Sequence, residues 1–473
     1  MEQNPPRDTE EFRDHIATVD EEGKRKWMFP IKPKGKFTSA RQYLSYVYLA
    51  LLFAGPWIRV NGEPFVLLNI MERKFILFGK IFWPQDFYLF ALSFITGVLF
   101  IVLFTVVYGR LFCGWVCPQT VFMEMVFRRI EYWIEGDAPK QRKLQKMPWN
   151  WEKIRKTGLK HVIFFGISVL IANTFLAYII GSDELLRIQL DDPREHMGGL
   201  TALLIFSGVF YGVFAWFREQ VCIAVCPYGR LQGVMLDRNS VVVAYDYKRG
   251  ESRAPFRGKR ENREELDKGD CIDCHKCVDV CPTGIDIRNG TQLECVNCTA
   301  CIDACDSMMD RVGFDRGLIR YASEEQIATG KEWTFSNRAK AYTGVLVILL
   351  GVIVSILVFR ADVKTTVLRA QGMLYQQVDE THLSNLYNYK IINKTNVEFP
   401  VEFRIADDLA EIRKVGNQEV TVPASGKTEG AFFIVLDEKR LDGLKTKIKV
   451  DVYRNDERID DVEVSFMGPM SFK

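Results

Sequence analysis

Cysteine is absent before residue 113 and after residue 305, although the 473-residue chain contains twelve. Neither end can therefore carry a disulfide staple or a thiolate metal site, and the C-terminal part must fold by packing alone. Charge is missing just as locally. The composition as a whole, 48% hydrophobic and 26% charged, is that of a water-soluble protein, yet Phe87–Tyr108 and Tyr342–Phe359 hold no charged residue. A net charge of only +2 leaves no basic excess for nucleic acid. There is no glycine-rich phosphate loop, no nucleotide fingerprint and no hydrolase constellation. No apolar run precedes Tyr43, so a cleavable signal peptide is not expected.

What is present begins with apolar runs of the length needed to cross a bilayer, about 20 helical residues for a hydrocarbon core of about 30 Å. Five segments are expected to span: Tyr43–Ile58, Phe87–Tyr108, Val162–Ile180, Leu200–Phe217 and Tyr342–Phe359. A sixth apolar piece, Phe65–Trp83, is interrupted by Glu72, Arg73 and Lys74 and reads as an interfacial or re-entrant loop. Lys24, Arg25, Lys26, Lys32, Lys34, Lys36 and Arg41 precede the first span, and Arg110, Arg128, Arg129, Arg142 and Lys143 follow the second. Such clusters mark the cytoplasmic side, whereas the acidic loop 181–199 suits the outer side. The N-terminus is then inside and the C-terminus outside. Trp149 and Trp151 suit an aromatic belt at the inner interface, in contact with membrane lipid.

Cys271, Cys274, Cys277 and Cys281 follow C-x-x-C-x-x-C-x-x-x-C, with Pro282 next, and Cys295, Cys298, Cys301 and Cys305 repeat the spacing. Structural zinc usually takes separated C-x-x-C pairs, four ligands to an ion. Two triplet-plus-one runs suit iron-sulfur clusters better, since three close thiolates reach three irons and the fourth iron takes a distant ligand. The runs resemble those of bacterial two-cluster ferredoxins, where the fourth cysteine of each run ligates the other cluster. That resemblance implies one [4Fe-4S] cluster on Cys271, Cys274, Cys277 and Cys305, and another on Cys295, Cys298, Cys301 and Cys281. The second run departs from the pattern, with Asp306 where proline is usual. His275 reads as a solvated surface residue.

The other four cysteines form a second repeat. Cys113 and Cys117 precede Pro118 just past the second span, and Cys222 and Cys226 precede Pro227 just past the fourth. Each C-x-x-x-C-P follows two spans, as in a duplicated two-helix unit with thiols on one side of the membrane. If each pair lies on a helix, its i and i+4 sulfurs share a face, and all four converge. Buried cysteine can also pack simply as a small apolar residue. Soft thiolates favour copper(I), zinc or iron-sulfur clusters, and Met123, Met125 and Met235 add nearby thioethers of lesser weight.

Past residue 360 the period changes to two. Val397, Phe399, Val401, Phe403 and Ile405 alternate with outward positions, as do Ile448, Val450 and Val452, and Val462, Val464 and Phe466. With turn residues Gly416, Asn417 and Gly426 between the runs, this predicts a β-sandwich of roughly a hundred residues. His382 is isolated there, and a docking role fits better than catalysis. The expected organisation is an N-terminal segment 1–41, a membrane domain 42–240, a ferredoxin domain 241–340, a fifth helix 341–360 and an outer domain 361–473.

Taken together, FWPQDF, FCGWVCPQTV, REQVCIAVCPYGR, CPTGIDIRNG and ECVNCTACIDAC resemble the cytochrome c oxidase accessory proteins known as CcoG, FixG or RdxA. The resemblance covers nearly the whole chain. It implies a multi-pass polyferredoxin of the bacterial inner membrane, with a cytoplasmic two-cluster ferredoxin domain and a periplasmic immunoglobulin-like domain. It also implies reduction of copper(II) to copper(I) for the binuclear centre of the cbb-type oxidase. Copper would then be substrate or bound ion at Cys113, Cys117, Cys222 and Cys226. The partners implied are oxidase assembly factors, a copper transporter or chaperone and a cytoplasmic electron donor, and a homo-oligomer is allowed. Two other readings stand beside it: an electron relay between quinol and a partner without copper, and an assembly scaffold with structural clusters.

Overall fold

The computed structural model describes residues 17–19, 22–60, 62–71, 74–83, 87–258, 263, 265–330, 337–359, 361–372, 374–395, 397–405, 410–416, 420–441 and 443–469. The chain divides into two compact units, 1–55 with 89–352 and 56–88 with 353–473, and each is described separately.

Helices of the first unit follow the apolar runs. α1 (Lys36–Ala54), α2 (Phe87–Tyr108), α3 (Trp151–Ile180) and α4 (Met197–Gly212, continued by a π-helical turn through Phe217) come in order. α5 (Pro227–Met235), α6 (Ala300–Val312) and α7 (Asn337–Val358) follow, the last running on into the second unit. Among the described residues, four helices can cross a membrane by length and composition: α2, α3, α4 with its π-turn, and α7. These belong to a multidomain membrane protein. α1, the expected first span, falls short of that measure because its opening turns carry Lys36 and Arg41, and it ends at Ala54 rather than Ile58. It nonetheless lies along the bundle: Leu49, Leu52 and Phe53 pack against Phe122, Phe127, Phe164 and Phe214, and the Tyr178 hydroxyl near the end of α3 donates to the Leu52 carbonyl at 2.9 Å.

Arg41 and Arg128, counted from sequence as topology signals, are buried. Arg128 lies 3.3 Å from Glu124 and 3.6 Å from Glu219, and Arg218 grips Glu131 through two bonds of 2.7 and 2.8 Å. Isolated buried charge is too costly to persist, so these residues come as a paired network of both signs.

The ferredoxin part is built on the bundle. Strands β6 (Val242–Tyr245) and β7 (Ile319–Ala322) pair antiparallel and bracket the two cysteine runs. Val243, Tyr245, Ile285, Ile287, Ile302, Met309 and Leu318 form its core together with Cys271 and Cys277.

In the second unit, residues 56–88 depart from the expected interfacial loop. They form two hairpins, β1 (Arg59–Val60) with β2 (Glu63–Pro64), and β3 (Val66–Asn69), β4 (Lys74–Leu77) and β5 (Lys80–Phe82) as a meander. Phe78 and Gly79 turn between β4 and β5 at φ 54° and 71°, the left-handed pair that suits a two-residue hairpin. Leu67, Ile76 and Ile81 are buried with Trp83 against them. The Phe78–Gly79 turn inside KFILFGKIF splits this apolar run into two short strands; Glu72 and Arg73 lie outside the described residues.

The C-terminal part is the expected sandwich. One sheet has β12 (Ala410–Lys414), β14 (Lys427–Asp437), β10 (His382–Asn393) and β8 (Val363–Arg369), with β9 (Gln376–Gln377) on β10; the other has β13 (Val420–Val422), β11 (Phe399–Ile405), β15 (Lys445–Arg454) and β16 (Glu457–Met467). Tyr387, Phe432, Ile434, Phe399, Val450, Val452 and Phe466 fill the space between. Val397, expected inward, precedes β11 and is exposed. The longest strand, β10, carries polar Ser384, Asn385 and Asn393, which disguised it. Asn393 spends its amide on the carbonyls of Val397 and Pro423 at 2.7 and 3.0 Å. Asn417 lies outside the described residues.

Candidate iron-sulfur and membrane-edge thiol sites

The two ferredoxin runs repeat their backbone as well as their spacing. Asp273 and Asn297, each second after its run's first cysteine, have φ 52° and 51°; His275 and Thr299, each next after the second cysteine, have φ 55° and 64°. These left-handed positions coil each loop so that successive cysteines turn inward. Asp, Asn and His accept that conformation readily, while β-branched Thr299 pays strain for it. His275 thus has a conformational reason to be in the run, and it bonds Arg288 at 2.9 Å.

All twelve cysteines are free thiols. Cys305 interacts electrostatically with Cys277, Cys271 and Cys274, whereas Cys281 does so with Cys295, Cys298 and Cys301. Each fourth cysteine therefore stands with the opposite run. A pocket is lined by Cys281, Cys295, Cys298 and Cys301, by Cys277 of the other set, by apolar Val243, Ile285, Ile287 and Val296, and by Thr283 and Thr299. The four thiols of the second set around a largely apolar space suit a [4Fe-4S] cluster, which takes four thiolates and no other protein ligand. Burial pushes the Cys277 and Cys295 thiols up to about 12 and Cys298 to about 11. Cys301 and Cys305 are raised too, burial leading and neighbouring cysteines adding. Metal must displace these protons on binding. After Cys305 the chain continues as α6, and Asp306 accepts from the Gly317 amide at 2.9 Å. A proline there would break the helix that carries Cys305, which accounts for its absence.

The C-x-x-x-C-P copies differ from expectation. In each, the second cysteine leaves the helix: Cys117 (φ −57°, ψ 124°) and Cys226 (φ −71°, ψ 113°) are extended N-caps, with Pro118 and Pro227 opening the next helix. Proline suits that first helical position and disfavours helix in the residue before it, so the i, i+4 face argument does not apply. The four thiols come within electrostatic range of one another by another route, because each pair folds over a helix break. Cys113 interacts with Cys117 and Cys226, and Cys222 with Cys117, Cys113 and Cys226; burial first, then these neighbours, pushes both Cys113 and Cys222 up to about 12. π-helical segments Val121–Phe127 and Val221–Val225 accompany the two copies, as they often do at functional sites. Met123 and Met125 are buried, and Met123 packs among Phe122, Phe127 and Phe214 as core.

Sequence reading missed how tightly the two thiol systems join. Val280, Val296, Cys298 and Ala300 form an apolar cluster against which Cys113 and Cys222 pack. Gly114 approaches so closely that a Cβ on it would lie 2.5 Å from the Asn297 carbonyl oxygen and 2.6 Å from that of Val296. Arg41 donates to the Gly114 carbonyl at 2.9 Å and to the Cys298 carbonyl at 2.8 Å. The R-L-F-C-G context gave only a faint signal of this, with Arg110 three residues before Cys113 and Gly114 next after it.

Three family models match the chain, and those of 4Fe-4S type take in Cys113, Cys117, Cys222 and Cys226 as well as the two ferredoxin runs. Residues 217–324 match the family model of a 4Fe-4S dicluster domain, 90–140 that of a 4Fe-4S binding domain, and 353–469 that of the IG-like fold at the C-terminal of FixG. The chain is similar to Protein RdxB of Cereibacter sphaeroides, 33% identical over 432 residues covering 87% of this chain and 89% of that one. It is 35% identical to Protein RdxA of the same organism over 428 residues, 86% and 88% of the two chains. To the nitrogen fixation protein FixG of Rhizobium meliloti it is 39% identical over 307 residues, 63% and 58%.

Proposed function

The chain belongs to the FixG family of membrane-bound iron-sulfur electron-transfer proteins, and from that premise we propose that it reduces copper(II) to copper(I) for assembly of a cbb-type cytochrome c oxidase. The observation that carries the reading is the proximity of Cys113, Cys117, Cys222 and Cys226 to one another, with Cys113 and Cys222 packed against the second cysteine run. A [4Fe-4S] cluster supplies one electron at a time, which matches the one-electron reduction of copper(II). Cys271, Cys274, Cys277 and Cys305 would hold one cluster, and Cys295, Cys298, Cys301 and Cys281 the other. The membrane-edge thiols then offer soft sulfur to copper, which favours the reduced ion.

In this reading the ferredoxin part faces the cytoplasm and takes electrons from a donor there. The C-terminal sandwich faces the periplasm and docks an assembly factor, and copper(I) passes to a transporter or chaperone. The test is anaerobic. The purified chain is reduced with dithionite, freed of excess, and given one equivalent of copper(II), while cluster bleaching and chelator-trapped copper(I) are followed together. The control is the Cys113→Ala, Cys117→Ala, Cys222→Ala, Cys226→Ala variant with its iron retained. Stoichiometric copper(I) that is lost in the control supports the reading; equal yields overturn it.

One observation favours the relay alternative. Phe104, Leu111, Phe112, Trp115 and Val116 line an open apolar groove on the segment that carries Cys113, a surface suited to a quinol. Reduction of the clusters by a short-chain quinol, inhibited by Phe112→Ala without loss of iron, would move that alternative ahead.

A further inference from the structure

We infer that electrons leave the ferredoxin part from the second cysteine set, Cys295, Cys298, Cys301 and Cys281, and that Arg110 is the positioning residue that couples this set to the membrane-edge thiols. The inference rests on reading those thiols as the place where electrons go.

Arg110 is 4% exposed and stands just past α2, three residues before Cys113. Its guanidinium joins three segments. One terminal nitrogen donates to the Leu293 carbonyl and to the Cys295 carbonyl at 3.2 Å, and the other to the Gly229 carbonyl in α5, the helix that Cys226 caps. One side chain thus ties the first C-x-x-x-C-P copy to the second and both to the second ferredoxin run. Its charge faces Cys295 and Glu294 in that run, Cys113 on its own segment, and Tyr228 in α5. The planar fork of arginine suits such three-way bonding, and a lysine ammonium cannot reproduce its geometry.

The first set has no such link. Two buried arginines attend it, both bonded within the ferredoxin part: Arg263 donates to the Cys271 carbonyl at 3.1 Å and to the Gly269 and Ala254 carbonyls, and Arg288 faces Cys277 and is bound to Asp286 and Asp273. Its loop residue His275 is exposed, its side chain 58% accessible. The set nearer water is where a donor would arrive, and the set nearer the membrane edge is where electrons would depart.

Two consequences separate this from a purely structural role for Arg110. A buried cation beside Cys295 favours the more negative, reduced state of a cluster held there, and at low dielectric that effect is local. Its bonds also fix the gap that an electron crosses when reduced cluster gives one electron to copper(II) and copper(I) results.

The experiment uses the full-length, cluster-loaded chain with Arg110→Gln, Arg110→Lys and Arg288→Gln. Potentiometric titration followed by electron paramagnetic resonance reads the two midpoints, and rapid mixing of the reduced chain with copper(II) reads the transfer rate. Arg110→Gln is expected to move one midpoint to more negative potential and Arg288→Gln the other. Transfer in Arg110→Gln should slow about tenfold or more, since small misplacements of reacting groups cost factors of this size. Arg110→Lys should restore the midpoint and recover the rate only in part. Arg110→Gln moving neither midpoint, or moving the same one as Arg288→Gln, overturns the inference. If Arg110→Gln does not load iron, Arg110→Lys decides alone, and an unchanged rate in it overturns the positioning role. The midpoints need no copper, so a selective shift in a chain that fails to reduce copper keeps the Arg110 assignment and sinks the proposed function instead.

Discussion

The two cysteine runs have one spacing and one backbone coil but unlike surroundings. The first opens its loop to water at His275 and keeps its buried arginines, Arg263 and Arg288, bonded within the ferredoxin part. The second is pressed against the membrane-edge thiols by Gly114, Arg41 and Arg110. A symmetric pair of ligand sets becomes directional only through what packs on each. A repeat in sequence therefore establishes two like sites, and the asymmetry of their contacts establishes what each is placed to do.

The strongest way to break this comparison is to remove one set at a time. Cys301→Ala should lose about half the iron, one cluster of two, and abolish copper(I) formation. Cys305→Ala should lose a similar share yet keep dithionite-driven copper(I) formation through the remaining set. Iron and sulfide counts beside chelator assays check both, and equal loss of reduction in the two variants would mean that the runs are not directional.

Next in size is the platform beneath the second set. Glu131 is buried, which alone would raise its carboxyl, but Arg218, Lys160 and Arg128 outweigh burial and hold it below its usual range. Its contribution is thus present above the unfolded carboxylate pKa and is lost as pH falls through the lowered folded value. Glu131→Gln should destabilise the bundle by about 3–5 kcal/mol, as breakage of a buried pair does. It should also flatten the acid side of the thermal-shift profile measured in detergent. An unchanged melting temperature would show that the network is not structural.

A smaller change tests the contact itself. Gly114→Ala should push the second run outward at a cost of about 1–3 kcal/mol, typical of overpacking, and slow electron transfer to the thiols with both clusters retained. Transfer unchanged in a folded Gly114→Ala chain would put the exit elsewhere. The smallest effect is expected at the exposed loop: His275→Gly should be neutral within about 0.5 kcal/mol, and His275→Ala slightly worse because of its positive φ. Loss of iron in both would mean that His275 supports the cluster directly.

Much of this was legible in the chain. Uncharged apolar runs long enough to cross a hydrocarbon core identified α2 and α7, and cysteine spacing identified two ligand sets. Period-two alternation identified β11, β15 and β16. β10 was hidden because its asparagines look like turn residues until their amides are seen bonded to loop carbonyls. The hairpins within residues 56–88 were hidden because summed hydropathy ignores the turn at Phe78 and Gly79 that splits the apolar run. The convergence of the four membrane-edge thiols was expected for the wrong reason: proline after each second cysteine ends one helix and starts another.

The sequence by itself determined which residues can hold metal and which segments suit lipid, because ligand chemistry and apolar length are local properties. Only the tertiary structure decided that Arg41, Arg110 and Arg128 are buried rather than lining a cytoplasmic surface, and that one of two identical runs meets the membrane-edge thiols. Those outcomes depend on which distant carbonyls and carboxylates come within reach of a guanidinium, and segments far apart in the chain meet only when the whole unit packs.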